Sequence, residues 1–101
     1  GEVPMYAIAI IRYRRALDEV LTVTDEHRAY LRTLYDSGTL LASGPLDPRS
    51  GGALLLRVPD GDTRAALDAI RDNDPYVKKG MAQYELLPWA PSTGVEKLDR
   101  L

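Results

Sequence analysis

His27 is the one histidine in a chain of 101 residues that contains no cysteine. An imidazole exchanges protons near neutral pH, so the chemistry it offers is general acid–base catalysis. It lies in the stretch Thr24 to Tyr35, where His27, Tyr30, Leu31, Leu34 and Tyr35 recur at i, i+3, i+4, i+7 and i+8. That spacing places them on one inward face of a helix. Thr24 reads as the N-cap, with Asp25 and Glu26 in the first turn, where acids suit the helix dipole. His27 then falls at N3, among unpaired backbone N–H groups. The dipole there disfavours an imidazolium, whereas a nearby carboxylate would favour it. The residues alone leave two readings open: a neutral base, or a hydrogen-bonded ring at the edge of the core.

Asp74 is the acid to weigh beside it. Leu67, Ile70 and Asp74 fall at i, i+3 and i+7 of a second helical stretch, and Pro75 forces the backbone out of the helix at Asp74. A carboxylate at a helix C-terminus is repelled by the dipole, so a cationic or hydrogen-bonding partner would account for it. His27 is a candidate; an ordinary turn aspartate is the plain alternative. Periodicity does not fix the distance between the two. Ser43 and Gly44, in Ser43-Gly44-Pro45, offer a hydroxyl and a position that a ligand or backbone can approach closely, although a simple turn explains them equally well. Ser43 has no base beside it and no nucleophile-elbow pattern around it. Arg12, Arg14 and Arg15 could meet an anion, but a solvated cluster is the better account. Six tyrosines and Trp89 could line a pocket, yet packing explains most of them.

Other chemistries are disfavoured. One histidine without cysteine, and without a carboxylate at metal-motif spacing, argues against a metal site. Ser50-Gly51-Gly52 lacks the spacing of a phosphate-binding loop, and no cofactor is expected. Net charge is −2 and the isoelectric point about 5.3, which argues against nucleic acid. The run Ala53–Val58 also lacks the aromatics on which an RNA-binding sheet stacks bases. The longest uncharged apolar run, Val3–Ile11, is too short to span a membrane, and no signal-peptide pattern precedes it. A cytoplasmic setting is expected, with Met5 as the natural start.

The elements that must position these residues follow from pattern. Met5–Tyr13, Thr39–Leu46, Ala53–Val58 and Met81–Trp89 read as strands, and the middle pair as a hairpin across Asp47–Gly52. Thr24–Asp36 and Thr63–Asn73 read as helices, with Gly38 as the left-handed stop of the first. Arg14–Val23 reads as a connector with at most a helical turn, Tyr76–Gly80 as a turn, and the tail from Ala90 as irregular. The order β-α-β-β-α-β is the ferredoxin-like α+β arrangement of a single domain, with a core over about 5–89 and a tail over 90–101. Two helices cover one sheet face, yet the strands carry apolar residues on both. An exposed face of that kind predicts a homodimer packed sheet to sheet.

With His27 on the first helix, Ser43-Gly44-Pro45, Asp74-Pro75-Tyr76, Gly80 and a final Leu87-Pro88-Trp89, the chain resembles the YciI-like (YCII-related) family over Met5–Trp89. The resemblance implies a dimeric α+β barrel. It also implies an active site built on His27 and Asp74, with Ser43 and Gly44 nearby. The implied activity is elimination or isomerisation, of lyase or isomerase type, on a small substrate of cyclic or aromatic kind. The alternative is a non-catalytic ligand-binding or accessory dimer in which His27–Asp74 is structural. Whether the imidazole can be reached from solvent separates the two.

Overall fold

The computed structural model describes residues 4–101; residues 1–3, ahead of the expected start at Met5, lie outside the described residues. In chain order the elements are β1 (Pro4–Tyr13), α1 (Leu17–Leu21), α2 (Thr24–Asp36), β2 (Leu40–Pro45), β3 (Gly51–Pro59), α3 (Thr63–Asp72), α4 (Pro75–Lys78), β4 (Ala82–Trp89) and α5 (Val95–Asp99). The strands form one sheet in the order β2-β3-β1-β4, every neighbouring pair antiparallel. This is the split βαβ topology that the pattern of elements predicts.

Side chains alternate across the sheet because successive Cβ atoms leave opposite faces of a strand. On the helix side, Ala7, Ala9 and Ile11 of β1 lie beside Leu54, Leu56 and Val58 of β3. Small residues face large ones across the ladder, with Ala9 opposite Leu54 and Ala7 opposite Leu56. Val20, Val23, Leu67, Ile70 and Tyr76 close the core from above. The opposite face carries Ile8, Ile10, Ala53 and Leu55, with Leu87 and Trp89 each 40% exposed.

Several local expectations are corrected. The N-cap of α2 is Val23, so Thr24 opens the helix. Helix α1 ends just upstream, and the Thr24 hydroxyl instead donates to the Val20 carbonyl at 3.2 Å. The His27 N–H is accordingly paired, with the Val23 carbonyl at 3.1 Å. Tyr35 is 54% exposed rather than inward, with the Arg32 guanidinium 5.8 Å from its ring centroid. The other end of α2 follows expectation. Gly38 has φ +83°, and the N–H groups of Gly38 and Thr39 return to the Tyr35 and Leu34 carbonyls, the paired C-terminal bonds of a Schellman motif. Pro75 does not end structure but begins it: it occupies the first turn of α4, where its missing N–H costs nothing, and Asp74 is the N-cap. The connector after β1 contains α1, and the tail contains α5. The latter is pinned to the second sheet face by Tyr6, whose hydroxyl donates to Asp99 at 2.5 Å, and by Arg57, which donates to the Leu98 carbonyl at 3.1 Å.

The β2–β3 hairpin carries one steric constraint. A Cβ on Gly51 would lie 1.7 Å from the Ile11 carbonyl oxygen, so the two backbones approach closer than any side chain permits. Gly51→Ala is therefore expected to destabilise the fold by about 1–3 kcal/mol or more, as overpacking against backbone does. Urea denaturation followed by circular dichroism checks this; unchanged stability would mean that the close approach is absent.

Candidate functional site

Asp74 is fully buried, and a buried carboxylate must be matched by donors. It has three. Its Oδ1 accepts from the Tyr76 backbone N–H at 2.9 Å, the N-cap bond of α4, and from His27 Nδ1 at 2.8 Å. Its Oδ2 accepts a short hydrogen bond from the Tyr84 hydroxyl. The negative charge that looked misplaced at the end of α3 is thus at the start of α4, where the dipole favours it. Burial, together with the Asp74 charge, raises the Tyr84 phenol well above its ordinary value, and the same two causes push Tyr30 up to about 12. Both phenols therefore stay protonated as donors; Tyr30 donates to the Ile70 carbonyl at 2.7 Å and ties α2 to α3.

A carboxylate only accepts, so the hydrogen between Asp74 and His27 resides on Nδ1. This assigns the tautomer and leaves Nε2 with its lone pair. Among the described residues Nε2 has no hydrogen-bond partner, and no buried side-chain nitrogen or oxygen is left unpaired. Nε2 therefore meets open space, although His27 is only 8% exposed. The ring is held from the side as well. Tyr76 stacks on it with centroids 3.9 Å apart and planes 10° from parallel. The Thr24 hydroxyl spends its proton on the Val20 carbonyl, so the Tyr76 hydroxyl donates to Thr24 Oγ1, at 2.8 Å. Tyr13 meets Tyr76 edge-on at 5.9 Å.

The space beside the ring is a cavity of about 270 Å³ between α2, the β2–β3 hairpin and Tyr76. Ser43 and Gly44 line it together with His27. Ser43 pairs with Leu54, whose side chain is in the core, so Ser43 shares the helix-side face; the register shift between Leu40 and Ala42 sets this phase. Of the four candidate residues, three line the cavity, and Asp74 stands behind the imidazole. Arg12, Arg14 and Arg15 are exposed and do not line it; Arg12 pairs with Glu85 at 2.8 Å.

Sequence reasoning overlooked Tyr84 as a donor, Thr24 as an anchor for Tyr76, and Arg28 and Arg49 as cavity residues. Tyr84 had a visible signal: it is in phase with Ala82 and Leu86 on the core side of β4. Arg49 had none, since its place depends on the path of the hairpin loop. Among the described residues no group of three or more His, Cys, Asp or Glu could hold a metal, and no helix is long and apolar enough to cross a membrane.

The family model of the YCII-related domain matches residues 5–90, and the chain belongs to that family. No curated protein matches the sequence. Among solved structures, the fold is similar to that of 5-chloro-2-hydroxyhydroquinone dehydrochlorinase (TftG) from Burkholderia phenoliruptrix AC1100, in complex with 2,5-dihydroxybenzoquinone. The TM-score is 0.71 at 20% identity, covering 87% of this chain and 96% of that one.

Removing the carboxylate would leave a tyrosine, a histidine and a backbone N–H without their acceptor. Asp74→Ala is expected to lose roughly 3–5 kcal/mol of stability, the scale for breaking a buried charged pair. Asp74→Asn is expected to lose less, because its amide oxygen still accepts. Urea denaturation of both variants measures the difference; a loss in Asp74→Ala no larger than at a surface site would show that the network does not hold the fold.

Proposed function

We propose that this member of the YCII-related family is a homodimeric enzyme that uses His27 and Asp74 for acid–base elimination or isomerisation of a small cyclic or aromatic substrate. The observation that carries the reading is the division of labour on one imidazole. Nδ1 is committed to Asp74 at 2.8 Å, and Nε2 is left toward the cavity. A merely structural histidine would have both nitrogens satisfied inside the protein.

In the elimination, Nε2 takes a proton from the substrate. The electron pair of the broken bond forms the new double bond, and the leaving group departs with its own bonding pair. The imidazolium is stabilised by the Asp74 carboxylate and returns its proton to solvent. In an isomerisation the same nitrogen returns the proton to a different atom of the substrate. The stack on Tyr76 fixes the ring plane, so the direction of proton transfer is set before the substrate arrives. Ser43 offers a hydroxyl on the opposite wall, and Gly44 leaves room beside it. The similar fold of a dehydrochlorinase bound to a dihydroxybenzoquinone is in keeping with an elimination on a small ring.

The dimer reading rests on the second sheet face. Ile8, Ile10, Leu55, Leu87 and Trp89 lie on that side, while α5 covers only the end near Tyr6 and Arg57. Two such faces stacked against each other would form the dimeric α+β barrel.

Two measurements test these proposals. In a screen of halogenated hydroxyhydroquinones and small lactones, turnover is expected to fall about 10²–10⁴-fold in His27→Ala, the usual worth of a general base. It is expected to fall at least about tenfold in Asp74→Asn, with the fold retained by circular dichroism. Turnover of a substrate at the wild-type rate by both variants would remove the catalytic assignment. Sedimentation equilibrium is expected to give a dimer that Leu55→Glu splits into folded monomers, since a charge cannot be buried at the centre of an apolar interface; a wild-type monomer would overturn the barrel.

A further inference from the structure

The charged side chains lining the cavity are all basic or potentially so: His27, Arg28 and Arg49. No aspartate or glutamate lines it, in a chain whose net charge is −2. The two arginines also differ from most of their kind in how they are paired. Arg12, Arg64 and Arg71 each lie within 4.0 Å of a carboxylate. Among the described residues neither Arg28 nor Arg49 does.

Arg49 is moreover held in place. Its Nε donates to the Tyr13 hydroxyl at 3.3 Å, and Tyr13 packs edge-on against the Tyr76 ring that stacks on His27. The same bond raises the guanidinium above its already high ordinary value. Among the described residues its two Nη atoms make no hydrogen bond, so the outer fork of the guanidinium is open to a ligand. Arg28 follows His27 directly on α2, so the two cations reach the cavity from different elements, one from the helix and one from the hairpin loop. Between them the walls are apolar or aromatic, including Ile11, Leu31, Leu54 and Tyr76.

We infer that the cavity selects a small planar oxyanion, a ring carboxylate or an ionised ring enol or phenol, whose negative oxygens dock on Arg28 and Arg49. This deepens the acid–base reading of the same site and rests on it for the position of the reacting atom. A guanidinium presents parallel N–H groups that match two oxygens in a plane, and a second cation doubles the charge met. The pairing also suits the chemistry. When Nε2 removes a proton from an anion, negative charge builds up on the ring oxygens, and fixed cations there lower the cost of that step. A neutral ring of the same size would fill the apolar walls yet leave both arginines without a counter-charge.

The single histidine makes the test direct. Two probes of nearly equal size, benzoate and benzamide, are titrated into the full chain, and binding is read from the His27 ring resonances by NMR. Benzoate is expected to bind at least about tenfold more tightly, and less tightly as salt is raised. Arg28→Gln and Arg49→Gln are each expected to weaken benzoate about tenfold while leaving benzamide unchanged. Equal binding of the two probes, no binding of benzoate, or benzoate affinity indifferent to both substitutions would overturn the inference. The catalytic reading fails separately. Arginine-dependent benzoate binding with turnover indifferent to His27→Ala would leave an anion site without a base. Turnover dependent on His27 with no benzoate preference would leave a base without an anion site.

Discussion

The satisfaction of one buried charge organises this structure. Asp74 has no access to water, and an isolated carboxylate in such a place would cost far more than a small fold can offset. Its three donors come from separate parts of the chain: the backbone of α4, the side chain of α2 and the side chain of β4. The requirement therefore reaches across the helix layer and into the sheet. Helix α4 is short, and its N-cap bond to Asp74 is what gives it a defined start. The path of the chain from α3 to β4 follows from that bond, because Asp74, Pro75 and Tyr76 fix a reversal in three residues.

The same constraint shapes the imidazole. A histidine beside a carboxylate with no other donors could turn to either tautomer. Here both oxygens are already engaged by donors, and the ring is clamped between the Asp74 hydrogen bond and the Tyr76 face. Rotation would break the bond and the stack together. The hydrogen from Tyr76 to Thr24 extends the clamp one residue further, to the point where α1 passes into α2. Under the proposed acid–base reading this rigidity is the useful property, since proton transfer depends steeply on the approach of the two heavy atoms.

Much of this was legible in the sequence, and the exceptions are informative. Alternation in Met5–Tyr13 and Ala53–Val58 is a strong signal because both sheet faces are apolar, and the βαββαβ order follows from it. His27 stood out as a solitary imidazole on an apolar stripe. Asp74 stood out for a reason that proved mistaken: it was read as a charge at the wrong end of α3. A proline ends one helix and begins the next equally well, and the sequence between Asp74 and Gly80 is too short to show periodicity. The cap of α2 was misplaced by one residue because Thr24 is a good cap by composition, whereas α1, unseen in the connector, had already taken its hydroxyl. Contacts made by loops, such as Arg49 with Tyr13, depend on the path of the hairpin and leave no pattern in one dimension.

The placement of the cavity residues separates two tasks. His27, Asp74, Tyr76 and Tyr84 sit on α2, α4 and β4, or cap them, and their hydrogen bonds are part of what holds the fold together. Ser43, Gly44 and Arg49 sit on the hairpin, where the side chains are exposed and the core does not depend on them. A change in the first group disturbs stability and reactivity together; a change in the second alters only what the cavity receives. The hairpin is nevertheless not loose. Its base is fixed where Gly51 crosses the Ile11 carbonyl and where the Leu46 N–H returns to the Gly51 carbonyl at 2.9 Å. A rigid base with a variable rim lets one acid–base centre serve different small ligands without rebuilding the core, so the ligand is to be sought in the residues of the hairpin rather than in the dyad.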